Sequence, residues 1–204
     1  MNDPSNSSPR PARSALPWVA LFFVLPALLL ALLVALLLPA PPALAVTRTV
    51  CATGADYTTI QAAVNAAQAG DVIDICAGSY AETVDLSAMV PPGDLTLRGT
   101  GTVQITPTAG AAITISLRFT GNVTLDNLHV WSADNHAINF GNVISGNLSL
   151  VSVVAVDAAR NGLAATVVGS TSISNSTISD NGESGAFLDI TGPVTVTNSL
   201  FINN

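Results

Sequence analysis

Four related segments decide the fold of this chain: GNVTLDNLHV from Gly121, GNLSLVSVVAV from Gly146, GSTSISNSTIS from Gly169 and GPVTVTNSLFI from Gly192. The segments begin at intervals of about two dozen residues, and the first interval is slightly longer than the other two. Small or apolar side chains recur at offsets two and four from each glycine and alternate with polar ones, which is the period of a β-strand. A strand that returns at a nearly constant interval is typical of a solenoid, in which each repeat forms one coil.

A polar residue at offset six interrupts the strand in every segment, and apolar positions resume after it. These polar residues are Asn127, Ser152, Asn175 and Asn198. Asparagine tolerates the left-handed backbone conformation, so we expect a tight bend at this position. A polar loop and a third alternating strand follow, at residues 137–140, 162–168 and 185–190. Three short strands in each coil of about 23 residues predict an all-β fold, the right-handed parallel β-helix.

The stacking of such coils makes a spatial prediction about residues one repeat apart, whose strands would lie about 4.8 Å from each other. The inward-facing apolar file would contain Leu125, Leu150, Ile173 and Val196. The offset-six asparagines could form an amide ladder. An antiparallel sandwich is the alternative, but hairpins do not need a constant repeat, so the solenoid is favoured. Irregular alternation at residues 95–97, 103–105 and 113–115 predicts one or two further coils upstream.

A single strong helix pattern lies upstream of the repeats, at residues 59–69. Its apolar positions have the spacing of one helix face: Ile60, Ala63, Val64 and Ala67. Thr58 and Gln61 match the spacing of a capping box, and Gly70 is suited to end the helix in the left-handed conformation. A solenoid exposes its core at an open end, so we expect this amphipathic helix to cover the first coil as an N-terminal cap.

The sequence contains two cysteines, Cys51 and Cys76, one on each side of the helix pattern. We expect them to form a disulfide in an oxidising compartment. Closing a loop of this length would contribute about 3 kcal/mol in the chain-entropy model. Two buried free thiols are the alternative. The C-x-x-C spacing of metal and redox sites is absent from the sequence.

The sequence around the helix resembles a known family. Residues 56–86, DYTTIQAAVNAAQAGDVIDICAGSYAETVDL, and residues 95–101, LTLRGTG, resemble the N-terminal cap and first coil of the pectin-lyase-like β-helix superfamily, which includes pectin methylesterase-like and surface repeat proteins. The resemblance implies a cap and first coil at residues 46–92 and further coils at residues 93–204. It implies little about chemistry, because the same cap precedes enzymes, adhesins and proteins without an assigned activity.

The catalytic segments of enzymes in that superfamily have no match in this sequence. The missing segments are the GxxDFIFG type of pectin methylesterases and the Asn-x-Asp, Asp-Asp, Gly-His-Gly and Arg-x-Lys types of polygalacturonases. Residues 128–131, LHVW, resemble part of a lyase motif but lack the Asp-His that follows it. The sequence therefore favours a protein without catalytic activity.

The first 45 residues differ in composition from the rest of the chain. Residues 1–14 are polar with two arginines, and residues 16–38 are almost entirely apolar. Prolines follow, and the ALA of residues 43–45 fits the small-x-small pattern that signal peptidase cleaves. We predict a signal peptide cleaved before Val46 or an uncleaved signal anchor, because about 20 apolar residues can span a bilayer. Either outcome makes the remainder secreted or exposed at the cell surface.

The part predicted to be exported is acidic. Residues 46–204 contain four arginines, no lysine and twelve acidic residues, which gives a formal charge of −8. This balance argues against a nucleic-acid partner, since phosphate binding needs a basic stripe. A membrane contact is expected only through the N-terminal segment, if it stays uncleaved. The acidity suits a soluble surface and does not demand a cation, so we predict no metal and no cofactor, with calcium as the alternative.

The polar loops after the second strand of each coil hold the candidate binding residues. They are Asp134, His136, Asp157, Arg160, Asp180 and Glu183. Coil stacking would place them near one another, where carboxylates can hold calcium or a sugar hydroxyl and an arginine can bind a uronate. Solvated turn residues are the alternative interpretation, since Asp and Asn favour turns. Trp131 could stack on a sugar ring or pack locally, and His129 is expected at the surface.

These features predict a secreted or cell-surface β-helix protein without catalytic activity, which acts in adhesion or contacts envelope polysaccharide or another envelope protein. The alternative is a carbohydrate-active enzyme, either a polysaccharide lyase or a pectin methylesterase-like esterase, that is truncated before its active site or lacks a complete one. The sequence ends at residues 201–204 inside a predicted strand. We therefore expect a fragment of a longer β-helix, or a last coil whose edge meets further coils, a partner or a second copy.

Overall fold

A computed structural model describes residues 28–30 and 44–204 of the chain. Residues 44–204 contain a short helix, α1 (Ile60–Ala66), a 3₁₀ helix (Leu86–Ala88) and sixteen strands. The strands are β1 (Thr47–Val50), β2 (Val72–Tyr80), β3 (Val84–Asp85), β4 (Leu95–Ile105), β5 (Ile113–Thr114), β6 (Val123–Asp126), β7 (His129–Val130), β8 (Ile138–Ile144), β9 (Leu148–Val151), β10 (Val154–Val156), β11 (Leu163–Val167), β12 (Thr171–Ser174), β13 (Thr177–Ser179), β14 (Ala186–Ile190), β15 (Val194–Thr197) and β16 (Leu200–Ile202).

The strands stack in two sheets, and every described pairing is parallel. The larger sheet has the order β15-β12-β9-β6-β4-β7-β10-β13-β16, with β2 paired to β1 and β4. The smaller sheet has the order β14-β11-β8-β5-β3. Leu150 pairs with Leu125 on one neighbouring coil and with Ile173 on the other. These pairings confirm the predicted parallel β-helix, which has about six coils, and exclude the antiparallel sandwich.

The predicted bends are left-handed, as the asparagines suggested. Asn127, Ser152, Asn175 and Asn198 have φ values between 49° and 53°. The amide ladder is only one step long: Asn198 Nδ2 donates to Asn175 Oδ1 at 3.5 Å. Ser152 interrupts it, and Asn127 Nδ2 donates instead to the carbonyls of Gly99 and Gly101. A second left-handed file, which the sequence did not suggest, contains Asp157, Asp180 and Asn203.

The cap helix is present but is shorter than predicted and is capped differently. Thr59, not Thr58, is the N-cap, and its hydroxyl accepts from Ala62 N at 3.3 Å. The capping box with Gln61 is wrong, because the Gln61 side chain accepts instead from Asp85 N at 2.7 Å. The carboxylate at the start of the helix comes from Glu82, which accepts from Ile60 N and Gln61 N at 2.8 and 3.0 Å. The buried helix face packs on the first coil, as expected of a cap.

The first strand is fastened to the cap by one buried carboxylate. Asp71 is 1 % exposed and accepts hydrogen bonds from Val46 N, Gln68 N and Arg48 Nε, each at 2.8 to 2.9 Å. Burial opposes the ionisation of Asp71, but the hydrogen bonds from Gln68, Val46 and Arg48 outweigh it and hold the pKa of this carboxyl below its usual value. The N-terminal end of the solenoid therefore depends on an ionised aspartate.

The predicted disulfide is confirmed: Cys51 and Cys76 are bonded, with their Cα atoms 5.0 Å apart. It joins the loop after β1 to β2, so it ties the cap to the first coil. In the described part of the chain, no helix has both the length and the apolar character needed to cross a bilayer. Most of the predicted leader, residues 1–27 and 31–43, lies outside the described residues.

Candidate functional site

The loops that precede β8, β11 and β14 lie side by side and are joined by side-chain acceptors. Asn161 N donates to His136 Nδ1 at 3.1 Å, and Ser184 N donates to Asn161 Oδ1 at 3.0 Å. His136, Asn161 and Ser184 therefore occupy the same position on consecutive coils. Each of the first two side chains accepts a backbone N–H group of the next coil, which would otherwise lack a partner.

These loops and the start of the smaller sheet border a groove of about 440 Å³, which we name the arginine groove. It is lined by His136, Phe140, Gly141, Arg160, Asn161, Ala164, Ala165, Thr166, Glu183, Ser184 and Phe187. Arg160 Nε donates to Glu183 Oε1 at 2.9 Å, and Asn161 Nδ2 donates to Glu183 Oε2 at 3.2 Å. The ion pair is open to solvent, with the two side chains 53 % and 45 % exposed. Such a pair contributes about 0–1 kcal/mol to stability, so a ligand can rearrange it at little cost.

His136 is one of the buried residues of the groove lining, with 7 % of its surface exposed. Burial lowers the pKa of its imidazole, the positive charge of Arg160 lowers it further, and the charge of Glu183 opposes both. Since Nδ1 accepts the N–H group of Asn161, the ring is neutral and its proton is assigned to Nε2. His136 therefore supports the stacking of two coils through Nδ1, and Nε2–H is its remaining donor.

The lowered pKa of His136 predicts a pH dependence of stability. Below about pH 6.5, the usual value for histidine, the unfolded chain binds more protons than the folded one. The contribution of the neutral His136 to the free energy of unfolding should be complete above that pH. It should decrease as the pH drops toward the lowered pKa. We expect the urea midpoint to decrease between about pH 7.5 and about pH 5. The His136→Asn variant keeps an acceptor, as Asn161 does on the next coil, and should lack this part of the decrease. If the urea midpoint depends on pH equally in the wild type and in His136→Asn, a neutral buried His136 is contradicted.

The other candidate residues from the sequence lie elsewhere on the loops. Asp134 accepts from the backbone N–H of Gly110 on the preceding coil at 2.9 Å, so it acts as a turn residue. Asp157 and Asp180 follow β10 and β13 at left-handed positions, and Asp180 accepts from Asn203 Nδ2 at 3.1 Å. Stacking thus brings together three of the six residues, in the arginine groove. Among the described residues, no three His, Cys, Asp or Glu side chains are grouped as a metal site would require.

A second groove lies on the larger sheet, and we name it the tryptophan groove. The cavity beside the tryptophan, about 300 Å³, is lined by Gln104, His129, Trp131, Val156 and Asp157. His129 also borders an adjoining cavity of about 330 Å³, lined by Gly101, Thr102, Val103, Asn127, Leu128, Ser152 and Val154. Sequence patterns singled out Trp131 and Asp157 separately but missed Gln104. Gln104 belongs to the long strand β4, whose coil does not follow the later repeat, although it pairs directly with His129.

Comparisons with known proteins do not assign this chain to a family, so the chain is classified by its fold alone. No family model, no curated protein and no solved structure matches this chain. The chain is a parallel β-helix protein with a helical cap, which is consistent with the β-helix superfamilies in general.

Proposed function

We propose that this protein acts outside the cytoplasm as a non-catalytic rod that binds a saccharide in the arginine groove. The Cys51–Cys76 disulfide supports this compartment, because disulfides persist mainly in oxidising environments. The apolar leader of the sequence supports export as well. The observation that carries the ligand class is Phe187, an aromatic ring that is 65 % exposed beside a set of polar side chains.

Phe187 has space beside it because its neighbour on the sheet is small. It pairs in register with Ala164 of β11, which in turn pairs with Asn139 of β8. Leaving a phenylalanine in water forgoes about 2 kcal/mol of apolar burial, which a sugar ring stacked on Phe187 would recover. Aromatic rings with nearby polar groups suit ligands that have an apolar face and a hydroxylated edge.

The polar side chains of the groove can contact the edge of that sugar ring. Arg160 has donors that are not used in its single Nε contact with Glu183, and Glu183 and Asn161 carry acceptors. His136 Nε2–H is a further donor at the groove. A uronate carboxylate could replace Glu183 on Arg160, since an exposed ion pair is weak and arginine binds carboxylates with two parallel hydrogen bonds. The groove therefore suits neutral or uronate sugars.

Binding is supported better than cleavage. Glycoside hydrolases generally use two carboxyl groups on either side of the scissile bond, whereas Glu183 is the one carboxylate in the described lining of this groove. Nδ1 of His136 is engaged by a backbone N–H group, so this histidine is a poor general base. A rod that binds polysaccharide without cutting it fits a role in adhesion or in contacts with an envelope.

The Phe187→Ala variant tests the proposal. We expect it to weaken binding of gluco-, xylo- or galacturonate oligosaccharides at least about tenfold by titration calorimetry, a loss of roughly 1.4 kcal/mol. Arg160→Gln should weaken galacturonate binding in particular. Leu117→Ala is the matched control, because Leu117 is an equally exposed apolar residue, at 66 %, outside the groove lining. Unchanged affinity in Phe187→Ala would contradict the proposal. Release of unsaturated uronate or of methanol from pectin would indicate an enzyme instead.

A further inference from the structure

The tryptophan groove combines one aromatic ring with polar side chains that the protein itself does not use. Trp131 follows β7, and its backbone N–H is held by Ile105 O at 3.3 Å. Gln104 and His129 are register partners on β4 and β7, so their side chains lie on the same face of the sheet. Within residues 44–204, the side chains of Gln104, His129, Trp131 and Asp157 make no hydrogen bond to one another or to other groups. In the arginine groove, by contrast, Arg160, Asn161 and Glu183 hydrogen-bond with each other.

Free polar groups around an aromatic ring favour a hydroxylated ligand. The indole face offers a flat apolar surface, and its N–H is a donor. The Gln104 amide both donates and accepts, and the Asp157 carboxylate accepts from hydroxyl groups. Together these groups can satisfy the edge of a sugar ring that stacks on Trp131.

The charge of the groove restricts which sugar it can take. Asp157 is the one charged residue in the lining of the cavity beside Trp131, and neither Arg nor Lys borders that cavity. The surrounding exported chain carries a formal charge of −8. A uronate or sulfated sugar would therefore meet repulsion without a compensating cation. The groove suits a neutral saccharide.

The groove extends beyond one sugar ring. Past His129 it continues into the adjoining cavity, where the hydroxyls of Thr102 and Ser152 are available. The segment from Leu128 to Trp131, which contains β7, would rise about 10 Å if extended throughout. Each cavity alone is at the small end of ligand sites, which span about 300–1,000 Å³. We infer that the tryptophan groove is a second, independent site that binds a neutral oligosaccharide lying along the strand direction. This inference rests on the tryptophan groove alone and does not depend on the arginine groove.

Intrinsic fluorescence of the full chain tests this site directly. The chain has two tryptophans, so the Trp18→Phe background leaves Trp131 as the reporter. The probes are gluco-, manno-, xylo- and N-acetylglucosamine oligosaccharides of one to four units, with galacturonate oligomers as the anionic arm. We expect at least one neutral series to shift the emission saturably, with about tenfold tighter binding of a trisaccharide than of a monosaccharide, and galacturonate to bind at least about tenfold more weakly.

Variants connect the signal to the groove. Gln104→Ala and Asp157→Ala should each weaken the neutral ligand about tenfold. Asp180→Ala is the matched control, since Asp180 holds the same left-handed turn one coil further on, outside the groove lining, and should leave the affinity unchanged. If no neutral series gives a saturable shift, the proposed site is wrong. If galacturonate binds more tightly than the neutral sugars, the proposed ligand class is wrong. If one and three sugar units bind with equal affinity, the groove does not extend beyond one ring. Phe187→Ala should not alter this signal, so the two proposals fail separately.

Discussion

Replacing Gly169 by alanine is expected to lower the free energy of unfolding by about 3 kcal/mol, at the upper end of the usual cost of overpacking. Gly121, Gly146, Gly169 and Gly192 stack on one another at the start of successive coils. A Cβ atom on Gly169 would lie 2.4 Å from the carbonyl oxygen of Gly146 and 2.5 Å from Asn147 Oδ1. The obstacle is mainly backbone, so it cannot turn aside as a side chain can.

The coil spacing itself makes this clash costly. Gly169 N donates to Gly146 O at 3.1 Å, and Ser170 N donates to Asn147 Oδ1 at 2.8 Å. To admit a methyl group, the two coils must move apart and lengthen both bonds. A Cβ atom on any glycine of this file would come similarly close to the backbone of the coil before it. Glycine therefore recurs at the position where consecutive coils approach each other most closely.

The measurement is the melting temperature, which should fall by roughly 10 °C for a domain of this size, together with the urea midpoint. Gly78→Ala is the control, because its Cβ would meet only Tyr80 ring atoms at ordinary contact distances of 3.6 Å and more. That variant should keep the stability of the wild type. If Gly169→Ala is as stable as Gly78→Ala, the coils are packed less tightly at Gly169 than these distances indicate.

The stacked strands were predictable from the sequence because the repeat is strict where they occur. Leu150 and Ile173 occupy the same position after the glycines that open their segments, and they pair in register one repeat apart. The left-handed turn at Asn175 was predictable for the same reason, with residue chemistry as a second signal. A file of stacked side chains arises from one local pattern that recurs in every coil, so it can be recognised in the sequence alone.

The fastening of the cap could not be predicted because its partners are distant in sequence. Glu82 caps α1 from the loop after β2, and Asp71 reaches back across the helix to Val46 and Arg48. Neither contact leaves a local spacing in the sequence. The match of Thr58 and Gln61 to a capping box was therefore misleading, since the long-range carboxylate of Glu82 provides the acceptor instead.

The candidate site was only partly predictable, because the coils differ in length. Val154 pairs with His129 on the coil before it and with Thr177 on the coil after it, so the first of these repeats is two residues longer than the second. Asp134 and Asp157 look equivalent, but their separation matches the shorter repeat, so Asp134 is displaced by two positions along its loop. The following coils keep the shorter repeat, and the ion pair of the arginine groove accordingly joins two of them. The two extra residues lie within β8, where the register shifts between the pairs Phe140–Ala165 and Val143–Thr166, and they displace Asp134 from the file that contains Asp157 and Asp180.

Replacing Asp71 by alanine should destabilise the protein far more than replacing Asp74, although each carboxylate pairs with an arginine Nε at 2.8 Å. Asp71 is buried, and its loss leaves Arg48 Nε and two backbone N–H groups without their acceptor. Breaking a buried ion pair costs about 3–5 kcal/mol. We expect about 3 kcal/mol here, since Arg48 keeps 19 % of its side chain in water. The pair of Asp74 with Arg98 is more open to solvent, with the two side chains 20 % and 47 % exposed, so its loss should cost at most about 1 kcal/mol.

Urea denaturation of Asp71→Ala and Asp74→Ala measures the difference, and the pH profile identifies its cause. Because folding lowers the pKa of Asp71, its contribution is fully present above about pH 3.9, the usual value for aspartate, and is lost as the pH falls through the lowered pKa. The difference in the free energy of unfolding between the wild type and Asp71→Asn should therefore become smaller at acidic pH. Equal losses in the two alanine variants would mean that burial does not strengthen the Asp71 contacts. A gap that persisted in acid would mean that the shape of the side chain, and not its charge, holds β1 against the cap.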